Sequence, residues 1–478
     1  MTVFSISFCN ILINFAIGLF IAKFLGPAEY GRFALAYATA VFVQTGFFDW
    51  IRLGATRFYS ERTRSEDPAL RATLDFSFAV ISAALAAGAC LLMWSGVKFT
   101  LSNGLIALAL TVAVANGLFD YHVALVRACF DDRLFARLAL VKNALAIALM
   151  GGGAFLFGSA EMTLAGTVVS LAGSIVTARA ALADPASKPS FARLSIARHL
   201  MSYSLPIVGA TLLYIAIPLA NRSILAILDG FSETGQFSLA FDFGTKAIQT
   251  IGSALDIVLF QIAVATHELE GPTRARQQIA RNMTIVIAMV LPACTGLWLT
   301  LPSVETLIVP EQYRGHFDEL LPLMMTGFFA MALIQFAITP IFLIEKRTVP
   351  LISAALAACA ADPLFLLILH RDHGAASLAI AQAGAMLVAV IVLIAAALPH
   401  WQHWPRLRDL AVAVFGNALM GAIVFQLRDK EPGFSTLSEQ VSLGVLVYAA
   451  VILGLDVAGL RQITMARLRL TLARLKTL

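Results

Sequence analysis

Long apolar runs separated by short polar stretches recur along the whole chain. A helix that crosses a bilayer needs about 20 mostly apolar residues, because its backbone polar groups must be hydrogen-bonded internally where no water is available. No polar block between the runs is long enough to fold by itself, so we predict one all-α polytopic membrane protein. By the length rule the sequence predicts fourteen spans, numbered here in chain order: Val3–Ala22, Phe33–Trp50, Leu74–Trp94, Gly104–Leu125, Leu138–Phe157, Met162–Ala178, Met201–Leu228, Gly235–Thr266, Met283–Leu301, Leu320–Ile344, Val349–Leu369, Ala375–Leu398, Leu410–Leu427 and Val441–Leu460.

Basic residues are concentrated in alternate loops of this layout. Lys and Arg are retained on the cytoplasmic side of a membrane, so the alternation predicts that both termini are cytoplasmic. The inner set includes Lys142 and a basic tail over residues 461–478. Four tryptophans fall at or just beyond span ends, where an indole ring is expected at headgroup depth; they are Trp50, Trp94, Trp401 and Trp404.

The composition excludes several classes of protein. Of the 478 residues, 59% are hydrophobic and 13% charged, which rules out a soluble or disordered chain. The net charge of +5 is accounted for by the inner loops, so no nucleic-acid partner is expected. The five cysteines are odd in number and widely spaced, which suggests neither a disulfide framework nor a zinc site. No phosphate-binding loop and no long outer loop is present, so we predict a protein that is not an enzyme and has no cofactor or metal.

The sequence at the junction between spans 1 and 2 is repeated at the junction between spans 7 and 8. Residues 26–37 and 230–241 align with a shift of 204 residues, and six predicted spans separate them, so both copies have the same orientation in the membrane. Transporters use such parallel repeats to build two bundles around a central site. The identical pairs are Gly26/Gly230, Glu29/Glu233, Gly31/Gly235, Phe33/Phe237, Leu35/Leu239 and Ala36/Ala240.

The repeat predicts two pseudo-symmetric six-helix bundles followed by two C-terminal helices. The predicted parts are a first bundle over 1–182, a cytoplasmic linker over 183–200, a second bundle over 201–398, spans 13 and 14 over 399–460, and the tail 461–478.

The junctions also resemble a known family. The chain is similar to the polysaccharide transport family, the Wzx-like flippases for lipid-linked oligosaccharides within the multidrug/oligosaccharidyl-lipid/polysaccharide exporter superfamily. It departs from that pattern at Asn221, where an acidic neighbour of the arginine is expected, which weakens the transfer of ion-coupling residues. The resemblance is carried by Lys23–Phe33, Asp49, Leu53-Gly54 and Arg57-Phe58, and by Asn221-Arg222 with Gly235–Ala240.

The resemblance implies a multi-pass protein of the bacterial inner membrane. It would translocate a polyprenyl pyrophosphate oligosaccharide from the inner to the outer leaflet for surface polysaccharide biosynthesis, whether O-antigen, capsule or exopolysaccharide. Alternating access through a cationic central cavity would carry the cargo. The implied partners are the lipid-linked oligosaccharide, the bilayer and, as an open possibility, other membrane proteins of polysaccharide assembly. An ion-coupled exporter of drugs or metabolites and a membrane-embedded glycan polymerase or ligase remain alternatives.

Charged residues inside spans are the candidate site residues, because a charge in the membrane usually faces protein or a watery cavity. If the cargo is the one implied by the resemblance, Arg222 would bind its pyrophosphate through bidentate hydrogen bonds and Lys246 as a point charge. Two alternatives stay open: Asp242 neutralises Lys246 from one helical turn away, or Arg222 extends to the outer surface.

Other charges have less defined roles. Three charged residues lie at the inner end of span 2, where they are expected either to form an entry gate for the cargo or to anchor the helix at the cytoplasmic surface: Asp49, Arg52 and Arg57. Three acids are candidates for proton or sodium coupling: Asp120, Asp256 and Asp362. Asp362 precedes Pro363 and could instead satisfy local backbone, and Asp120 could simply be solvated. Gln335 and Asn417 are predicted to form hydrogen bonds between helices.

Overall fold

A computed structural model describes residues 2–61, 67–97, 99–345, 347–369 and 374–462. From residue 463 onward the predicted tail 461–478 lies outside this described part. Thirteen described helices are long and apolar enough to cross a membrane. They are Thr2–Phe58, Pro68–Ser95, Asn103–Ala128, Asp132–Phe157, Ala160–Leu182, Leu194–Leu228, Phe231–Glu270, Pro272–Leu299, His316–Ile344, Val349–Leu369, Gly374–Ala397, Leu407–Phe425 and Phe434–Gly454.

The first of these helices contains spans 1 and 2. Its backbone breaks at Gly26, where φ is 73° and ψ is 168°, and Pro27 follows at once. A positive φ is readily adopted by glycine, so Gly26 changes the chain direction between two spans. Each of the other twelve helices corresponds to one predicted span, which confirms the all-helical polytopic class.

Local sequence sets several helix ends. Span 3 begins with Pro68 after Asp67, whose carboxylate accepts a hydrogen bond from Ala69 N at 3.0 Å. Span 4 begins after Ser102, and span 5 ends at Gly158 with φ of 56°. These are the side-chain N-caps and left-handed glycine C-caps that satisfy the free backbone groups of helix ends.

Span 10 is irregular. It runs as an α-helix over His316–Ala332, a π-helix over Leu333–Ile338 and a final α-turn over Thr339–Ile344. Gln335 lies in the π segment and is exposed, and its predicted hydrogen bond to another helix stays a prediction. Asn417 does fulfil that role, because its Nδ2 donates to Thr295 Oγ1 at 3.0 Å.

The described chain divides into two compact units. Unit 1 comprises Met1–Leu239 with Asp362–Leu378, and unit 2 comprises Ala240–Ala361 with Ala379–Leu478. Span 7 therefore groups with spans 1 to 6. The predicted bundles 1–182 and 201–398 stay a prediction, and each unit is described below by itself.

Close helix contacts at glycine organise both units. In unit 1, a methyl group on Gly117 of span 4 would come within 2.8 Å of Phe48 Cγ of span 2. In unit 2, methyl groups on Gly244 and Gly252 of span 8 would overlap the rings of Phe328 and Phe336 of span 10. Small residues let membrane helices approach closely where packing, rather than the hydrophobic effect, holds them together.

Two of the four tryptophans predicted at headgroup depth lie in the protein interior. Trp50 is 5% exposed and Trp401 2% exposed. The Arg276 guanidinium lies 5.9 Å from the Trp401 ring centroid and pairs with Glu345 at 3.1 Å. The loop after span 12 is thus packed onto the ends of spans 9 and 10, because a guanidinium stacks favourably on an indole.

Candidate functional site: a polar face on span 8

Span 8 presents one polar face along its length. Successive spacings of four and three residues place five side chains on one side of the helix Phe231–Glu270. All five are partly exposed, whereas the opposite side carries the buried Gly244, Ile248 and Gly252. A polar, incompletely packed face inside a membrane helix is suited to lining a watery path. The five are Asp242, Lys246, Gln249, Ser253 and Asp256.

Lys246 is the cation of this face. Asp242 lies four residues before it on the same face of the helix. Beside Lys246, Thr245 Oγ1 is buried and finds no hydrogen-bond partner among the described residues. The Thr250 hydroxyl donates instead to the Lys246 carbonyl at 2.6 Å. The Lys246 ammonium and the Thr245 hydroxyl together could serve an anionic, hydroxyl-bearing ligand.

Arg222 lies inside unit 1. Its side chain is 6% exposed, which excludes the alternative that it extends to the outer surface. The preceding Asn221 is fully buried, and its Nδ2 donates to Asp362 Oδ1 of span 11 at 3.2 Å. Asp362 therefore bonds to another helix, rather than only to the local backbone at Pro363. Spans 7 and 11 are joined here by a polar contact that sequence separation alone does not reveal.

A second polar group joins spans 2 and 4 in unit 1. Arg52 donates two hydrogen bonds to Asp49, at 3.0 and 3.1 Å. Asp120 accepts from Gln44 Nε2 at 2.7 Å and interacts electrostatically with Arg52 and Asp49, so it is not merely solvated. Arg57 is exposed and stands apart from this group.

Lys142 extends this set of interacting polar side chains to span 5. The sequence places it with the inner-loop cations, yet it lies well inside the helix Asp132–Phe157. Its Nζ donates to Asn14 Oδ1 of span 1 at 3.0 Å, and neighbouring Asn143 donates to Asn10 Oδ1 at 2.7 Å. Its position inside an apolar segment was the signal that could have identified it. Within the described residues no group of three or more His, Cys, Asp or Glu side chains is arranged to hold a metal.

Thirteen described helices of membrane-spanning length, one of them with a polar face, define an all-α polytopic membrane protein. The structure is similar to lipid II flippase MurJ in an inward closed conformation, with a TM-score of 0.71 and 14% identity over 95% of this chain and 99% of that chain. An inward-facing multidrug resistance MATE family transporter of the MOP superfamily matches with a TM-score of 0.59 and 16% identity over 82% and 94% of the two chains.

A MOP superfamily transporter from Pyrococcus furiosus is also similar, with a TM-score of 0.52 and 15% identity over 90% of this chain and 95% of that chain. No family model matches the sequence, and no curated protein sequence does so. The chain therefore has the fold of the MOP superfamily transporters, the multidrug/oligosaccharidyl-lipid/polysaccharide exporters.

Proposed function

We propose that this protein is a flippase of the polysaccharide transport type. It binds a polyprenyl pyrophosphate oligosaccharide at the inner leaflet of a bacterial cytoplasmic membrane and releases it at the outer leaflet by alternating access. Arg222 and Lys246 bind the pyrophosphate, and Asp242, Asp256, Asp120 and Asp362 are the candidates for ion coupling or gating. The observation that carries this proposal is the polar face of span 8, which places the cation Lys246 between Asp242 and Gln249 in the interior of a membrane-length helix.

Chain length supports a flippase over a drug exporter. The lipid II flippase covers 95% of this chain, whereas the multidrug MATE transporter covers 82%. The last two spans are the part of the predicted layout that a twelve-span exporter lacks. The exporter remains the second candidate, because MATE transporters share the fold.

The test measures the pool of lipid-linked oligosaccharide in cells that lack the gene. We expect complete repeat units to accumulate on the inner leaflet and wild-type protein to clear them. Arg222→Ala and Lys246→Ala should fail to do so, while Lys246→Arg, which keeps the charge, should restore part of the activity. Arg133→Ala, at an exposed inner-loop arginine, is the matched control and should behave as wild type.

Three results would count against the proposal. An unchanged pool together with altered drug sensitivity would indicate the exporter. Accumulation on the outer leaflet would indicate a polymerase or ligase. Full rescue by Lys246→Ala at wild-type protein levels would remove Lys246 from cargo binding.

A further inference from the structure

The polar face of span 8 continues past Asp256 to an aromatic ring. Phe260 lies four residues after Asp256 in the helix Phe231–Glu270, so both side chains lie on the same side, and Phe260 is partly exposed like the five polar residues. From Lys246 to Phe260 the helix rises by about 21 Å. The part of the face beyond Lys246 is called the Gln249–Phe260 stripe below, and its members are Gln249, Ser253, Asp256 and Phe260.

The side chains of this stripe have the chemistry that binds sugars. An amide, a hydroxyl and a carboxylate exchange hydrogen bonds with sugar hydroxyl groups. The C–H groups on one face of a pyranose ring pack against the negative face of an aromatic ring. The Ser253 hydroxyl donates to the Thr250 carbonyl over 3.3 Å, which leaves its lone pairs to accept from a ligand. One such group follows another at roughly every helical turn, a spacing of about 5.4 Å that suits successive rings of an extended glycan.

The charge of the stripe is negative. Lys246 is the only basic residue in the predicted spans 8 to 14, and the pyrophosphate of the proposed cargo would occupy it. Beyond Lys246 the stripe carries the Asp256 carboxylate and no cation. An acidic sugar bound there would meet a like charge without a basic side chain from these spans to compensate it. Like charges brought together at a binding surface strongly disfavour the wrong partner.

We propose that the Gln249–Phe260 stripe binds the glycan of the cargo, and that Asp256 selects uncharged sugars over acidic ones. This inference rests on the proposed function and deepens it, because it makes Asp256 a specificity residue rather than an ion-coupling one. The glycan extends from Lys246 toward the C-terminal end of span 8, which the charge pattern predicts to be the cytoplasmic end. That direction suits a cargo that enters from the inner leaflet with its sugars in the cytoplasm.

The first experiment determines the sugar composition of the natural cargo. Lipid-linked oligosaccharide is extracted from cells that lack the gene and analysed by mass spectrometry. We expect a repeat unit without uronic acids or other acidic sugars. An acidic sugar in the repeat unit would overturn the selection by Asp256. If no lipid-linked oligosaccharide accumulates, the proposed function itself fails.

The second experiment compares two forms of this lipid in proteoliposomes. Oxidation of the primary hydroxyl groups of the sugars to carboxylates gives an acidic cargo of nearly the same shape. Wild-type protein should transport the unmodified lipid at least about tenfold faster than the oxidised one. Asp256→Asn should reduce this ratio to about twofold, although it also slows the unmodified lipid, because a carboxylate accepts stronger hydrogen bonds than an amide does. Glu268→Gln, at an exposed carboxylate near the end of the same helix, is the matched control and should keep the wild-type ratio.

The aromatic ring is tested with the unmodified lipid. Phe260→Ala should slow its transport by about fivefold, and Phe260→Trp should restore it, because only a ring stacks on a sugar. Wild-type transport by Phe260→Ala would remove the ring from the site. Equal wild-type rates with the two lipids would overturn the selection and leave the flippase proposal intact. Equal slowing of both lipids by Asp256→Asn, with the ratio unchanged, would return Asp256 to ion coupling and overturn its role in selection.

Discussion

Spans 2 and 8 are equivalent elements of the repeat, and the two units use them differently. With the shift of 204 residues, Phe48 corresponds to Gly252. In unit 1 the ring on span 2 fills the space at Gly117 of span 4, and in unit 2 the glycine on span 8 receives Phe336 of span 10. In both units a phenylalanine ring of one helix packs against a glycine of its neighbour, but the helix that carries the ring differs. The packing is therefore kept although the residues at equivalent positions are not the same.

The polar positions of the two spans differ more deeply. The span 8 face corresponds on span 2 to Ala38, Phe42, Thr45, Asp49 and Arg52. Thr45 and Asp49 are buried and Asp49 is paired with Arg52, whereas the corresponding Gln249 and Ser253 are partly exposed. Span 2 therefore uses polar groups to hold its bundle together, whereas span 8 leaves its polar side chains partly exposed. At the position of Lys246, span 2 has the apolar Phe42.

The largest expected effect tests whether the exchanged contacts are equivalent. Phe48→Ala and Phe336→Ala each leave a cavity beside a glycine, and each should lower the free energy of unfolding by about 3 kcal/mol or more. Thermal unfolding of the detergent-solubilised protein measures both. Phe157→Ala, at an exposed ring at the C-terminal end of span 5, is the control and should change little. A loss at only one of the two sites would mean that the contacts are not equivalent.

A smaller effect is expected where the repeated glycines meet. A methyl group on Gly31 would overlap the Phe231 carbonyl oxygen, and one on Gly235 the Pro27 carbonyl oxygen. Backbone cannot yield as a side chain does, so Gly31→Ala and Gly235→Ala should each cost about 1–3 kcal/mol. Size-exclusion chromatography after graded heating measures the loss. Gly152→Ala, at a helix position with open space around it, should remain as stable as wild type. Wild-type stability of Gly235→Ala would show that the crossing is looser than described.

The elements and the repeat were predictable from the sequence, because both depend on local signals. The span count follows from the length that an apolar helix needs, and the repeat was visible because Gly31 and Gly235 are required by their mutual contact. The candidate charges Lys246, Asp242 and Asp256 could be placed on one face by helical spacing alone.

Contacts between distant segments were not predictable in this way. Lys142 was grouped with loop cations, since nothing in its own segment indicates Asn14 of span 1 as its partner. Trp401 was placed at headgroup depth, and only the packing of Arg276 onto its ring shows why it is buried. A single sequence gives the order of polar residues within each span, but not which of them meet across the bundle.

The smallest effect separates the buried, hydrogen-bonded polar groups of span 2 from the partly exposed ones of span 8. Gln44→Leu removes the 2.7 Å hydrogen bond to Asp120 and should lower the free energy of unfolding by about 1–2 kcal/mol. Gln249→Leu removes a partly exposed amide and should change stability by less than about 0.5 kcal/mol, because surface substitutions away from such contacts rarely do more. Thermal unfolding distinguishes the two.

Transport measurements should rank the two variants in the opposite order, with the larger effect for Gln249→Leu. If the polar face of span 8 contacts cargo, Gln249→Leu slows clearance of the lipid-linked oligosaccharide although the protein is as stable as wild type. Gln44→Leu should reduce clearance only in proportion to the folded protein that remains. Equal destabilisation by both substitutions would show that the face of span 8 is as tightly packed as that of span 2. In that case the functional contrast between the halves would have to lie elsewhere than in these two helices.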